Sequence, residues 1–234
     1  MTRTRLVRLL ALAASAVVVS GASLAAQVGY APEKSPYLDL TYSQELTLIG
    51  GYYHAHRDAA DVGPQSGSIT GVHYEWRAGG PAHITSEIAY ISSDRNVINP
   101  LRSGTGRDVG SRSQPLYSAD VGLGLSLTGE KSWHHFVPEV GSGIGLISDF
   151  RSQPDTGGFV FGTRFLFYMS AGIRYVPGGR WQVRLDTKDR LHTLAYPQTY
   201  FVPPTGGTAV VPITQARSFW LNNPSLSLGL SYLF

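Results

Sequence analysis

The chain has 234 residues, no cysteine, and 19 Lys and Arg against 16 Asp and Glu. The lack of cysteine excludes a disulfide framework and a lipoprotein attachment site. Three of the basic residues and none of the acidic ones fall in residues 1–26, so residues 27–234 carry 16 charges of each sign. Such a balance gives no general attraction to nucleic acid, and we exclude that class of partner.

Residues 1–26 have the pattern of a secretory signal peptide. Arg3, Arg5 and Arg8 precede an apolar run over residues 9–19, and small residues follow as far as Ala26. The alternative, a membrane-anchor helix, needs about 20 apolar residues, and this run is shorter. We predict a signal peptide over residues 1–26 and one domain over residues 27–234, because no long linker divides the rest of the chain.

Eight later segments have the alternation of β-strands. They lie near residues 40–54, 66–77, 81–92, 115–128, 133–148, 159–176, 180–193 and 217–234. The second, fourth and sixth connections are short, whereas the others are long. Short turns at one end and long loops at the other are typical of bacterial outer-membrane barrels, and an even strand number puts both termini in the periplasm. We predict an all-β fold, an eight-stranded antiparallel up-and-down transmembrane β-barrel.

Alternation within the segments predicts which side chains face lipid. From Tyr117 to Leu127 every second residue is apolar, and those between are small or polar. The same register places charged residues inside the barrel, since the opposite register would cost about 2–4 kcal/mol for each basic residue near the bilayer midplane. Side chains can fill the lumen of eight strands, so we predict a closed lumen with an ion-pair network. Its predicted members are Glu45, Glu75, Glu87, Asp120, Glu139, Arg164, Arg174, Arg184, Asp186 and Lys188, with Arg77 and Arg190 on the same face.

Aromatic residues cluster at the strand ends next to the short turns. Residues of this kind form a girdle at a membrane interface. The predicted members are Trp76, Trp133, Tyr175, Trp181, Tyr232 and Phe234. Pro138 and Pro224 lie within predicted strands. Because a closed barrel has no free edge, we expect each proline at a bulge or at the rim.

The chain ends in a strand whose apolar residues alternate from Leu226 to Phe234. Its last residues resemble the carboxy-terminal signal read by the barrel assembly machinery, with Gly229, Tyr232 and Phe234 as its elements. Leu228 departs from that signal, which usually has a polar residue there. Residues 27–234 as a whole resemble the small eight-stranded outer-membrane barrels of the OmpX and OmpA kind. The resemblance implies insertion by that machinery into the outer membrane of a diderm bacterium, and it implies no single activity.

Residues at the outer rim suggest a catalytic alternative. His54 and His56 end the first segment, and Ser92, Ser93 and Asp94 end the third, so a general base and a hydroxyl nucleophile could meet there. The arrangement loosely resembles the outer-membrane palmitoyltransferases, with the expected Asp-Ser order reversed, and makes a lipid A acyl-modifying enzyme the first alternative. A soluble lipocalin-like binder of an apolar ligand is the second. We predict no enzymatic activity, no cofactor and no metal site, since no ligand spacing supports one.

The long connections indicate the partners. The third connection carries Arg95, Arg102, Arg107 and Arg112, which are candidates to pair with lipopolysaccharide phosphates. The seventh, residues 194–216, is rich in apolar residues. It predicts either a projecting hairpin that docks an extracellular partner or a lid over the barrel mouth. We predict a non-enzymatic outer-membrane barrel with a structural or surface-interaction role.

Overall fold

The structure is a computed structural model that describes residues 35–234. The predicted signal peptide lies outside the described residues. Within them, short 3₁₀ turns cover Gly104–Arg107 and Gln198–Phe201. The strands are β1 (Tyr37–Asp39), β2 (Gln44–Tyr53), β3 (Gly67–Gly79), β4 (Ala82–Ile91), β5 (Asp94–Ile98), β6 (Asp108–Ser113), β7 (Leu116–Ser126), β8 (Lys131–Trp133), β9 (Phe136–Ser148), β10 (Thr163–Tyr175), β11 (Trp181–Ala195) and β12 (Ser218–Leu233). In this part of the chain, no helix is long and apolar enough to cross a membrane.

Eight of these strands close into one antiparallel barrel. Their order around the barrel is β2, β3, β4, β7, β9, β10, β11 and β12, and β12 pairs with β2. The closing ladder runs from Ser225 opposite Tyr53 to Leu233 opposite Glu45. Closure leaves no strand edge, so the barrel backbone needs no water inside a bilayer. The predicted eight-stranded up-and-down fold is confirmed.

The two ends of the barrel differ, as the connection lengths predict. We call the end with the short connections and both barrel termini the turn end, and the other the loop end. At the turn end β1 pairs with β8, which lies in the connection between β7 and β9. The Leu40 amide donates to the Glu130 carbonyl, and the Arg77 side chain donates to the Leu40 carbonyl. A cavity of about 250 Å³ lies next to the segment that contains β1 and Leu40.

The outer face of the barrel is a belt of exposed apolar side chains. Leu48, Ile88, Leu123, Met169 and Leu228 are each more than 60% exposed. Aromatic side chains border the belt at the turn end. These are Trp76, Trp133, Tyr175, Trp181, Tyr232 and Phe234, all exposed. An apolar outside around a charged inside is the reverse of a lipocalin-like binder, and it matches a barrel surrounded by lipid.

Both prolines within the ladders lie beside the end of a neighbouring strand. The Pro138 carbonyl accepts a hydrogen bond from the Leu127 amide, one residue beyond the end of β7. The Pro224 carbonyl accepts one from the His54 amide, one residue beyond the end of β2. A strand residue directs its N–H and C=O to the same side, so each missing N–H falls where the adjacent ladder stops. This is the rim position that we expect.

One strand begins later than predicted. The sixth barrel strand starts at Thr163 rather than near residue 159. Phe159 and Phe161 precede it and are each 1% exposed, so they lie in a packed loop and not on the lipid face. Aromatic residues alternate through both this loop and β10, so the pattern alone extends the predicted strand too far.

Candidate functional site

The lumen contains a cluster of buried charged side chains centred on Arg174 of β10. Its Nη1 atom lies 2.7 Å from Glu45 Oε2 and 3.0 Å from Glu75 Oε1. Its Nη2 atom pairs with Glu139 Oε1. One guanidinium therefore joins carboxylates from β2, β3 and β9. Such a contact holds opposite walls of the barrel together through charge-assisted hydrogen bonds.

Arg184 of β11 holds the adjacent part of the same network. It makes two hydrogen bonds to the Asp186 carboxylate, of 2.6 and 3.0 Å. Its Nη1 atom donates to Glu45 Oε1 at 3.1 Å. Glu45 is thus shared by two arginines, and Thr47 Oγ1 donates to it as well, at 2.9 Å. The lumen next to the cavity at the turn end is thus occupied by the side chains of Arg184, Asp186, Glu45 and Thr47.

A second group of ion pairs lies nearer the loop end. Lys188 Nζ lies 2.9 Å from Glu87 Oε2 and 3.1 Å from Asp120 Oδ1. Arg190 Nη2 lies 2.6 Å from Glu87 Oε1. The Lys188 ammonium also lies 4.3 Å from the centre of the Tyr168 ring, a cation–π contact. Side chains thus occupy the lumen at this height as well.

Arg164 lies outside the network in which we predict it. Its Nε donates to the Phe161 carbonyl at 2.8 Å, and its Nη2 donates to the Val160 carbonyl at 3.3 Å. It follows the start of β10 at the loop end, where the inward side chains are apolar. Strand alternation predicts which face of the strand a residue lies on but not its position along the barrel axis. It therefore could not distinguish Arg164 at the loop end from Arg174 in the network.

Two histidines belong to the network, and sequence reasoning did not single them out. His73 Nδ1 lies 3.4 Å from Glu87 Oε2, and His83 Nε2 lies 3.7 Å from Glu75 Oε2. Both are buried. The signal was available: His73 has the same strand parity as Glu75 on β3, and His83 the same parity as Glu87 on β4.

An apolar core fills the loop end of the barrel. Inward residues from the strand ends pack against residues from the long loops. The strand residues are Tyr53, Ile69, Ala89, Ile91, Leu116, Ile147, Leu166, Leu194 and Leu221, and the loop residues are Ala55, Ala60, Val62, Phe159, Phe161, Tyr196, Tyr200 and Val211. A core of this size packs the barrel mouth at the loop end.

Residues 196–217 form a lid rather than a projecting hairpin. In this segment the only regular element is the 3₁₀ turn, and Tyr196, Tyr200 and Val211 are at most 1% exposed. The Tyr196 hydroxyl donates to Asp58 Oδ2 at 2.7 Å. Burial, together with the Asp58 carboxylate, raises the pKa of Tyr196, so the phenol remains a donor. Apolar content alone does not distinguish a lid from a hairpin, which is why the sequence left both open.

The third connection contains a fully exposed strand. β5 and β6 form a hairpin separate from the barrel sheet, and every residue of β6 is exposed. Arg102 and Arg112 of this connection are exposed. Arg95 instead pairs with Asp155 at 2.7 Å and is 4% exposed, and Arg107 donates to the Thr208 and Ala209 carbonyls. Of the predicted lipopolysaccharide contacts, Arg102 and Arg112 are therefore the two free to reach a ligand.

The candidate catalytic residues do not form a nucleophile–base pair. Ser93 is buried, and its hydroxyl donates to the Gln65 carbonyl at 2.7 Å. His54 and His56 are exposed, and their backbone amides bond to β12 residues. Ser92 and Asp94 are also exposed. Among the described residues, no hydrogen bond joins either histidine to Ser92 or Ser93.

These features define the class. A closed eight-stranded barrel with a lipid-facing apolar belt and an ionic interior is an outer-membrane β-barrel, located in the outer membrane of a diderm bacterium. Among solved structures, the chain is similar to Neisserial surface protein A, with a TM-score of 0.51, 12% identity, and coverage of 82% of this chain and 97% of that chain. It is also similar to the outer membrane protein OprG from Pseudomonas aeruginosa, with a TM-score of 0.50, 12% identity, and the same coverage. At this identity the likeness shows a common fold. No family model matches the sequence, and no curated protein matches it.

Proposed function

We propose that the protein is a closed, non-conducting barrel that anchors its extracellular loops, with a structural or surface-interaction role and no enzymatic activity. The observation that carries this proposal is the double obstruction of the lumen. Ion pairs around Arg174 and Lys188 fill its middle, and the apolar core with the lid fills its loop end. An eight-stranded barrel has no further width through which a solute could pass.

The surface role is proposed for the hairpin of β5 and β6. It extends from the loop end, and the exposed guanidinium groups of Arg102 and Arg112 lie on it. Arginine binds phosphate oxygens through charge-assisted hydrogen bonds. Lipopolysaccharide phosphates form the surface that surrounds the loop end of a barrel in an outer membrane. We therefore propose that these two arginines contact lipopolysaccharide.

Single-channel recording in planar bilayers tests the closed lumen. The wild-type protein, purified and inserted, should give no stable conductance steps at voltages where a porin of known conductance, used as a positive control, gives them. Regular steps that require the folded barrel would contradict the closed lumen.

Co-purification from outer membranes tests the proposed contact. The amount of lipopolysaccharide per barrel should fall in the double variant Arg102→Ser/Arg112→Ser. The matched control is Arg180→Ser, because Arg180 is equally charged and exposed but lies in a connection at the turn end, which faces the periplasm. An unchanged amount in the double variant, or an equal fall in the control, would remove this proposal.

A further inference from the structure

Three buried side chains in the middle of the lumen have the donor types and the spacing of a metal site. They are Glu75 of β3, His83 of β4 and Glu139 of β9, and one ligand atom from each lies within 4.8 Å of the others. All three residues are at most 6% exposed. Acidic clusters are common without a metal, so the inference depends on the state of the donor atoms.

One donor atom of this group, and one from a neighbouring histidine, lack hydrogen-bond partners. Glu75 Oε2 is buried and accepts no hydrogen bond, and His73 Nε2 is likewise buried and unpartnered. Glu75 Oε2 lies 3.7 Å from His83 Nε2 and 3.9 Å from His73 Nε2. Buried polar atoms are nearly always satisfied in native proteins, and each exception calls for a water, an ion or a functional reason.

Two arginines hold the carboxylates of this group unequally. Arg174 engages Oε1 of both Glu75 and Glu139, whereas Oε2 of each lies farther from a cation, 3.6 and 3.5 Å from the Arg184 guanidinium. His73 Nδ1 lies 3.4 Å from Glu87 Oε2, which favours a proton on Nδ1. A carboxylate behind a histidine is the usual way that proteins fix the ring of a metal ligand.

There is space for an ion, and Glu75 also borders a cavity at the turn end. A cavity of about 30 Å³ is lined by His73, Glu75, His83 and Glu139, with Arg184 and Lys188 also on its wall. A site needs about 10–15 Å³ of this kind of volume to hold one water molecule. Glu75 also lines the larger cavity of about 250 Å³ at the turn end, together with exposed residues such as Asp39. An ion could therefore enter from the periplasmic side.

The carboxylates of the network outnumber its permanent cations by two. In the described part of the lumen, the six ion-paired carboxylates meet four permanent cations. The carboxylates are Glu45, Glu75, Glu87, Asp120, Glu139 and Asp186, and the cations are Arg174, Arg184, Lys188 and Arg190. Arg77 and Arg164 do not make up the difference, because they donate to backbone carbonyls at the two ends of the barrel.

We propose that His73, His83, Glu75 and Glu139 bind one divalent first-row transition ion, of which Zn²⁺ is the representative. Two imidazole nitrogens and two carboxylate oxygens suit such an ion, whereas Mg²⁺ and Ca²⁺ require oxygen ligands throughout. Ligand distances of about 2.0–2.2 Å require the four side chains to close in on the ion, and His73 must move as well, because it lies outside the group whose ligand atoms are within 4.8 Å of one another. Glu139 Oε2 is only loosely held, 3.5 Å from Arg184 Nη2, and is free to make that movement.

Metal content of the tag-free refolded barrel tests the proposal. The protein is stripped with a chelator, dialysed against micromolar ZnCl₂ at pH 7.5, passed through a desalting column and analysed by mass spectrometry of the elements. We expect one Zn²⁺ per chain in the wild type and at least a tenfold loss in His73→Gln/His83→Gln. Exchange of Co²⁺ for Zn²⁺ should give the visible absorption of a four-coordinate site.

The control is His54→Gln/His56→Gln, which removes two exposed histidines from the loop end and should keep one Zn²⁺ per chain. A heat-modifiable gel shift verifies that each variant is folded. If the lumen double variant does not fold, Glu75→Gln replaces it, since the amide keeps the shape of the carboxylate. A wild-type protein without stoichiometric Zn²⁺, or Zn²⁺ that depends on the exposed pair, would overturn the proposal, and protons would then account for the charge deficit.

Discussion

Arg174 Nη1 of β10 and Glu45 Oε2 of β2 lie 2.7 Å apart, although β11 and β12 separate their strands around the barrel wall. Both side chains are buried, and two further carboxylates share the same guanidinium. The contact thus spans the lumen and couples walls that backbone hydrogen bonds do not join directly. Arg174 is the natural place to test how far the network stabilises the barrel.

Arg174→Ala should lower the free energy of unfolding by about 3–5 kcal/mol, because it leaves several buried carboxylates without their cation. Urea unfolding in phospholipid vesicles, followed by tryptophan fluorescence, measures the change. Arg57→Ala is the matched control, since that arginine is exposed, and its effect should stay within about 0.5 kcal/mol. Arg164→Ala should lower the free energy of unfolding by less than Arg174→Ala does, because Arg164 lies outside the network. Equal losses for Arg164 and Arg174 would show that the cost does not arise from the ion-pair network.

Gly122→Ala should destabilise the barrel by about 1–3 kcal/mol, the usual cost of overpacking. A Cβ atom at this position would overlap the Tyr168 hydroxyl and the Ser142 carbonyl oxygen. Gly50→Ala is the control, because a Cβ there meets no atom within 4 Å. The midpoint temperature of the heat-modifiable gel shift reports both variants. If Gly122→Ala were as stable as Gly50→Ala, Tyr168 could not occupy the lumen beside Gly122.

Tyr200→Ala should loosen the lid without unfolding the barrel. The Tyr200 ring is fully buried in the apolar core of the loop end, and its carbonyl accepts a hydrogen bond from the Val211 amide at 3.1 Å. Hydrogen exchange measured by mass spectrometry should therefore accelerate at least tenfold in peptides from residues 196–217. Val202→Ala, an exposed position in the same segment, should leave exchange unchanged. Rapid exchange in the wild-type segment would contradict a packed lid.

The sequence predicts the fold and the face of most residues, because both depend on a period of two. Glu45 and Arg174 are recognisable as inward-facing for this reason. The period does not reveal height, so Arg164 is indistinguishable from Arg174, and Phe161 from a lipid-facing aromatic residue. The hairpin of β5 and β6 has no regular alternation of apolar residues to signal it. The alternation within one strand also does not predict which residues of different strands meet, so it could not predict that His73 and His83 converge on Glu75.

The most direct test of the whole account is a nitroxide scan along β12. The protein has no native cysteine, so single cysteines at residues 225–228 can each be labelled in the folded barrel in phospholipid vesicles. Oxygen dissolves preferentially in the hydrocarbon, and its collision rate with each label reports contact with lipid. We expect high rates at Leu226 and Leu228 and low rates at Ser225 and Ser227. A uniform profile, or one with the opposite phase, would contradict the barrel with an apolar outside and an ionic lumen.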